Sequence, residues 1–182
     1  MESYIYSFYK FHSIFILSEY KITKLKKKLK YIIPIEWQII LINEGSFTQN
    51  LCCLTGKYPS IKIYEKFTNL SNNNYKNIRC IWLENSIYTK LLFARSIWIL
   101  NDTNNANINI NNYLPLGKSI IESKVDIKKK IHEIYYGHCE YLEKQLNYNK
   151  PLWGRKYTLY YNEKSYIRVQ EFFSPFINKL FH

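Results

Sequence analysis

The sequence is short of glycine, of cysteine and of acidic residues. Its 5 glycines in 182 residues form no Gly-rich phosphate loop, the usual sign of a nucleotide cradle. Its 4 cysteines, Cys52, Cys53, Cys80 and Cys139, make no CxxC pair and no regular framework, so reduced thiols are expected. His12, His132, His138 and His182 lack a metal-ligand rhythm, and no metal is expected. Apolar runs are short as well: Ile5 to Leu17 is interrupted by Lys10 and His12 and falls below the ~20 residues needed to span a bilayer. No basic n-region precedes that stretch, no small-residue cleavage site follows it, and an Arg- and Ser-rich transit segment is missing. The protein is therefore expected to stay where it is made.

The deficit of acid leaves 14 Asp and Glu against 26 Lys and Arg, a net charge of +12. Such an excess points to an anionic partner: nucleic acid, an acidic membrane face or an acidic metabolite. Much of it lies between Lys21 and Lys30. There Ile22, Leu25, Leu29 and Ile32 recur at helical spacing, which predicts a helix with its lysines in solvent. What the chain does have is apolar mass. Hydrophobic residues at 47% and aromatic residues at 18% exclude a disordered chain, and the length suits one domain with a real core. Heavy use of Ile, Lys, Asn and Tyr, whose codons are AT-rich, suits an organellar genome.

Residues 1–33 read as a basic extension, helical or poorly ordered, and 34–182 as the domain. Pro34 opens a helix over Ile35–Ile42, Gly45 breaks it, and Ser46 is placed to cap a second helix ending near Gly56, together a helix-turn-helix flap. Period-two patterns predict strands over 61–67, 78–83, 88–100, 130–138, 153–161 and 166–174. Helical pieces are expected at 117–122 and 140–145, and 101–112 is an Asn-rich loop. About six strands joined mostly by short turns make an α+β fold, an antiparallel sheet with helices and flaps on one side.

Within Ile167-Arg168-Val169-Gln170-Glu171-Phe172-Phe173, alternation points Glu171 the same way as Val169 and Phe173. A carboxylate on an apolar face is costly unless paired, and often marks a functional site. The plain alternative is an exposed edge-strand Glu. Arg79 lies in an equally apolar strand, Ile78-Arg79-Cys80-Ile81-Trp82-Leu83, where a guanidinium can grip a carboxylate through two parallel hydrogen bonds or pair with a protein acid.

Leu92-Phe93-Ala94-Arg95-Ser96, Pro115-Leu116-Gly117-Lys118, Leu152-Trp153-Gly154-Arg155 and Glu171-Phe172-Phe173-Ser174-Pro175 occur in the order and approximate spacing of the chorismate lyases, which the sequence resembles. A further block, Trp37 to Thr48 followed by Leu54-Thr55-Gly56, is similar to the cyanobacterial and plastid-encoded members. The resemblance covers residues 35–177. It implies a cofactor-free lyase that removes pyruvate from chorismate to leave 4-hydroxybenzoate for quinone synthesis, in the plastid stroma, as a monomer with a small-molecule partner and no nucleic acid. It also implies that Arg79 holds the ring carboxylate, that Glu171 sits near the hydroxyl, and that Phe47 and Leu116 touch the ligand through backbone N–H groups. The start of a helix suits an anion on physical grounds too, which supports Phe47. Arg95 and Arg155 are supporting positions, either for the second carboxylate or as structural bridges, and Lys118 is a weaker one. Two other readings stay open: a non-catalytic module of the same fold that binds a small aromatic acid, and a basic nucleic-acid binder without a recognisable motif.

Overall fold

The computed structural model describes residues 11–25, 28–71, 74–86, 89–101, 116, 126–160 and 166–180. Their centre is one antiparallel sheet of seven strands. In chain order the strands are β1 (His12–Ser18), β2 (Ser60–Ser71), β3 (Asn74–Ser86), β4 (Thr89–Asn101), β5 (Lys128–His138), β6 (Leu152–Tyr160) and β7 (Tyr166–Phe173). Across the sheet they run β1-β5-β6-β7-β4-β3-β2, so the last strand of the chain, β7, lies in the centre between β4 and β6. The helices are α1 (Glu19–Lys24), α2 (Ile35–Leu41), α3 (Phe47–Thr55) and α4 (Glu140–Leu146), with 3₁₀ turns at Leu29–Tyr31 and Pro175–Leu180.

Alternation assigns each central strand a front and a reverse face. On the front, Ile81 and Leu83 of β3, Leu92 and Ala94 of β4 and Phe173 of β7 share one buried cluster with Trp37, Ile40 and Leu41 of α2 and Phe47 and Leu51 of α3. On the reverse, Trp82, Phe93 and Phe172 pack with Tyr135, Leu152, and Leu142 and Leu146 of α4. Each large side chain so enclosed contributes about 2 to 3 kcal/mol through apolar area removed from water. Helices were expected on one side only; α4 differs, because the odd and even positions of these strands are both apolar and both need cover.

The two flap helices follow the local chemistry. Ser46 is extended at the head of α3 and its hydroxyl accepts a hydrogen bond from Gln49 N at 3.3 Å. Gly56 ends the helix with φ 69°, a left-handed conformation that glycine adopts without strain. The 3₁₀ turn and α2 enter from Leu29 and Ile33, both buried.

The reading of residues 1–33 as a helical or poorly ordered extension needs correction over 12–18, which form the edge strand β1 paired with β5 from His12↔His138 to Ser18↔Glu133. Its periodicity is masked because the outward Ile14 and Ile16 are exposed and only Leu17 is fully buried, so both faces look apolar in sequence. The helix expected over Lys21–Lys30 is shorter: α1 stops at Lys24, and the 3₁₀ turn begins at Leu29. The expected helical piece at 117–122, with Lys118, lies outside the described residues, as do the loop 102–112 and the hairpin tip 162–164.

Candidate functional site

A cavity of about 340 Å³ lies on the front face, between the central strands and the loop that joins α2 to α3. It is large enough for a small cyclic acid, and its wall is apolar with a few polar groups, as ligand sites usually are. Leu83, Leu92, Ile81, Leu159 and Val169 line it, together with Ile127 and Leu116. Into this lining project Arg79 from β3, Glu171 from β7, and Lys129 from β5.

Glu171 is 5% exposed and is held on both oxygens. Arg155 Nε donates to Oε2 at 2.6 Å and the Tyr157 hydroxyl donates to Oε1 at 2.9 Å. Burial, followed by the charge of Glu171, raises the Tyr157 hydroxyl well above its ordinary pKa and keeps it a donor. A carboxylate has acceptor capacity beyond these two bonds, so Glu171 can still take a hydrogen bond from a ligand hydroxyl.

Arg155 is completely buried. Besides Glu171 it reaches the carbonyls at the end of α2, with Nη1 donating to Ile40 O at 2.7 Å and to Asn43 O at 3.1 Å. It therefore caps the carboxyl end of α2 and fixes the α2–α3 loop over the site. Of the two roles considered for it, the structural one is what the geometry supports, with Glu171 as its acid. Its neighbours explain the Trp153-Gly154-Arg155 sequence. Trp153 faces Tyr136, 4.6 Å between ring centroids, and Trp37, 6.2 Å. A Cβ on Gly154 would fall 2.5 Å from Glu171 O and closer still to the Tyr135 ring. That ring lies against Gly154 because the Tyr135 hydroxyl is shared between Arg155 O at 3.0 Å and Glu171 O at 3.1 Å.

Arg79 is 2% exposed, and burial lowers its pKa from the usual arginine value without discharging it. On the shared face its register partner on β4 is Ser96, whose partner on β7 is Val169, two residues from Glu171. Phe47 is the first residue of α3 and packs edge-on against Phe173 at 5.1 Å between centroids, so the free N–H groups of the helix start beside the cavity. Leu116 lines the same space. Arg95 does not: it pairs with Cys80 and Gln170, on the reverse face of the sheet.

Lys129 was missed in sequence. Its ammonium donates to Asn43 O at 3.0 Å and to Gly45 O at 3.2 Å, and lies 4.3 Å from the centroid of the Tyr157 ring. Burial, then the charge of Arg155, lowers its pKa to about 7, against the opposing pull of Glu171 and Glu44. The signal lay in Lys129 and Ile131 alternating with Lys128 and Lys130, but three consecutive lysines give no hint of which one turns inward. Among the described residues no group of three or more His, Cys, Asp or Glu is placed to hold a metal ion.

An open antiparallel sheet with this cavity on its front face is an α+β architecture of the chorismate lyase-like kind. Residues 41–181 match the Chorismate pyruvate-lyase Rv2949c-like family, and the chain belongs to it. A relative from Antithamnion sp. is 45% identical over 152 residues, covering 84% of this chain and 85% of the relative. One from Porphyra purpurea is 33% identical over 157 residues, with 80% and 84% covered, and one from Cyanophora paradoxa is 27% identical over 152 residues, with 78% of each covered. All three carry the name "Uncharacterized protein ycf21".

Proposed function

We propose that the protein is a lyase that converts chorismate to 4-hydroxybenzoate and pyruvate in the front-face cavity. The observation that carries this reading is the joint presence of Arg79 and the buried Glu171 in one apolar space of ring size, in a chain of this family. The ring carboxylate is bound by the Arg79 guanidinium and the opening N–H groups of α3 at Phe47, with Leu116 covering the ring. The ring hydroxyl donates to Glu171, whose orientation is set by Arg155 and Tyr157.

In the reaction the ring carbon that bears the hydroxyl loses its proton as the neighbouring carbon's bond to the enolpyruvyl oxygen breaks. The ring becomes aromatic. The departing enolpyruvate takes up a proton on its methylene carbon and leaves as pyruvate. Aromatisation supplies the driving force, so the protein's share is to hold the ring in a reactive conformation and to stabilise the charge that moves to the ether oxygen. The double anchoring of Glu171 favours a positioning carboxylate over a mobile acid. Relatives from algae and the AT-rich residue usage support a plastid-encoded protein; on the lyase reading its product feeds quinone synthesis in the stroma.

The test is incubation of the purified protein with chorismate, with 4-hydroxybenzoate and pyruvate measured by chromatography. Equal amounts of both should form. Glu171→Gln should lower turnover by about 10- to 100-fold, and Arg79→Ala should weaken substrate binding more than Arg79→Lys. If 4-hydroxybenzoate binds and chorismate is not turned over, the protein is a binding module on the same fold. If neither binds, the cavity has another ligand.

A further inference from the structure

We infer that Lys129 is the second anion subsite of the cavity, holding the carboxylate at the end of a cyclic dicarboxylate remote from Arg79. The identity of that dicarboxylate as chorismate rests on the function proposed above, but the subsite itself rests on geometry. The five strands β5, β6, β7, β4 and β3 lie side by side. Lys129 stands on the first of them, Arg79 on the last, and Glu171 on the middle one. Four strand spacings separate the two cations, roughly 19 Å along the sheet between backbones. Both side chains are long and both line the same cavity, so their charges close in on it from opposite sides with the carboxylate between them. A ligand with an anionic group at each end and a hydroxyl near its middle matches that spacing of charge.

Lys129 is also prepared to exchange partners. Its bonds in this structure go to Asn43 O and Gly45 O, carbonyls of the loop that covers the cavity. An ammonium has more donors than these two bonds use. The charged groups that act on it are Arg155, Glu171 and Glu44, and the Tyr157 ring lies under it. Arg155 is already paired with Glu171, so Lys129 is the cation at this end of the cavity that a ligand carboxylate can meet. The subsite also distinguishes substrate from product. Once pyruvate leaves, the carboxylate bound by Lys129 leaves with it, and 4-hydroxybenzoate keeps the Arg79 and Glu171 contacts alone.

The burial that lowers the Lys129 pKa to about 7 makes the effect pH-dependent. Below that pH the free protein carries the charge. Dianion binding should therefore weaken as pH rises from about 6 to about 8.

The experiment is calorimetric titration with 3-(carboxymethoxy)-4-hydroxybenzoate, an unreactive aromatic dianion, and with 4-hydroxybenzoate, at pH about 6 and about 8. The parent protein should prefer the dianion by about tenfold at the lower pH and lose much of that preference at the higher one. Lys129→Met should remove the preference and its pH dependence while leaving 4-hydroxybenzoate affinity within about twofold, and Lys129→Arg should restore the preference without the pH dependence. Equal weakening of both ligands in Lys129→Met would show that the residue only holds the loop, and an unchanged preference would show that the second carboxylate binds elsewhere. Either result overturns the subsite. Failure of the lyase reading looks different: the dianion preference and its loss on substitution would persist in a protein that does not turn chorismate over.

Discussion

The two faces of the sheet are made by alternate residues of the same strands, yet they solve different problems. The reverse face joins Trp82, Phe93, Phe172 and Leu152 to Leu142 and Leu146 of α4 in a packed apolar cluster. The front face has a similar apolar frame but admits Arg79, Arg155, Glu171 and, half-buried, Lys129, around a cavity. On the front face, open space and buried charge occur together; in the reverse-face cluster, among the described residues, neither does. Buried ions must keep partners, and Arg155, Glu171, Tyr157 and the carbonyls closing α2 are hydrogen-bonded to one another at fixed distances.

The largest effect is expected from Arg155→Met. It removes the partner of a buried carboxylate and the cap on α2, and should cost about 3 to 5 kcal/mol in denaturant unfolding. The double variant Arg155→Met, Glu171→Leu should recover most of that stability while losing function, because the uncompensated charge is gone. No recovery would mean that the α2 cap, rather than the ion pair, is the larger part.

On the reverse face, Leu142→Ala should lower stability by about 2 to 4 kcal/mol through lost burial and the cavity left behind. Ligand affinity of the folded fraction should stay unchanged. A large change in affinity would show that the two faces are not independent.

Gly154→Ala tests a place where the two faces meet through backbone. The added carbon collides with the Tyr135 ring on the reverse side and with Glu171 O. A loss of about 1 to 3 kcal/mol is expected from overpacking, together with weaker binding of 4-hydroxybenzoate as β7 shifts. Stability loss with unaltered binding would mean that Tyr135 moves and Glu171 does not.

The smallest effect is expected from Arg95→Ala. Its side chain belongs to the reverse side and is only half-buried, so stability should change by less than about 1 kcal/mol and ligand affinity not at all. A tenfold loss of affinity would return Arg95 to the site.

Much of this arrangement was legible in the chain itself. Period-two alternation is a local property: it points Glu171 the same way as Val169 and Phe173 and sets Arg79 among apolar residues, while only the strand pairing shows that both are buried. The helix pair over 35–56 was equally local, since Pro34, Ser46 and Gly56 act through the backbone of their own neighbours. Other features depend on which strands become neighbours. That β7 lies between β4 and β6, that Arg155 finds Glu171 across the β6–β7 pair, and that Arg95 faces away are consequences of registry. Three adjacent lysines are chemically alike in sequence, and only the pairing Lys129↔Leu159 next to the α2–α3 loop turns one of them into a half-buried cation at the cavity. β1 was hidden for the same reason: an edge strand with apolar residues on both sides has no period to read, and its backbone hydrogen bonds come from β5, more than a hundred residues along the chain. Short-range sterics and alternation decide what each segment is and which way its side chains point. The identity of a charge's partner is decided only when distant strands pair, because a buried ion is tolerable solely where folding brings its counter-ion within hydrogen-bonding distance.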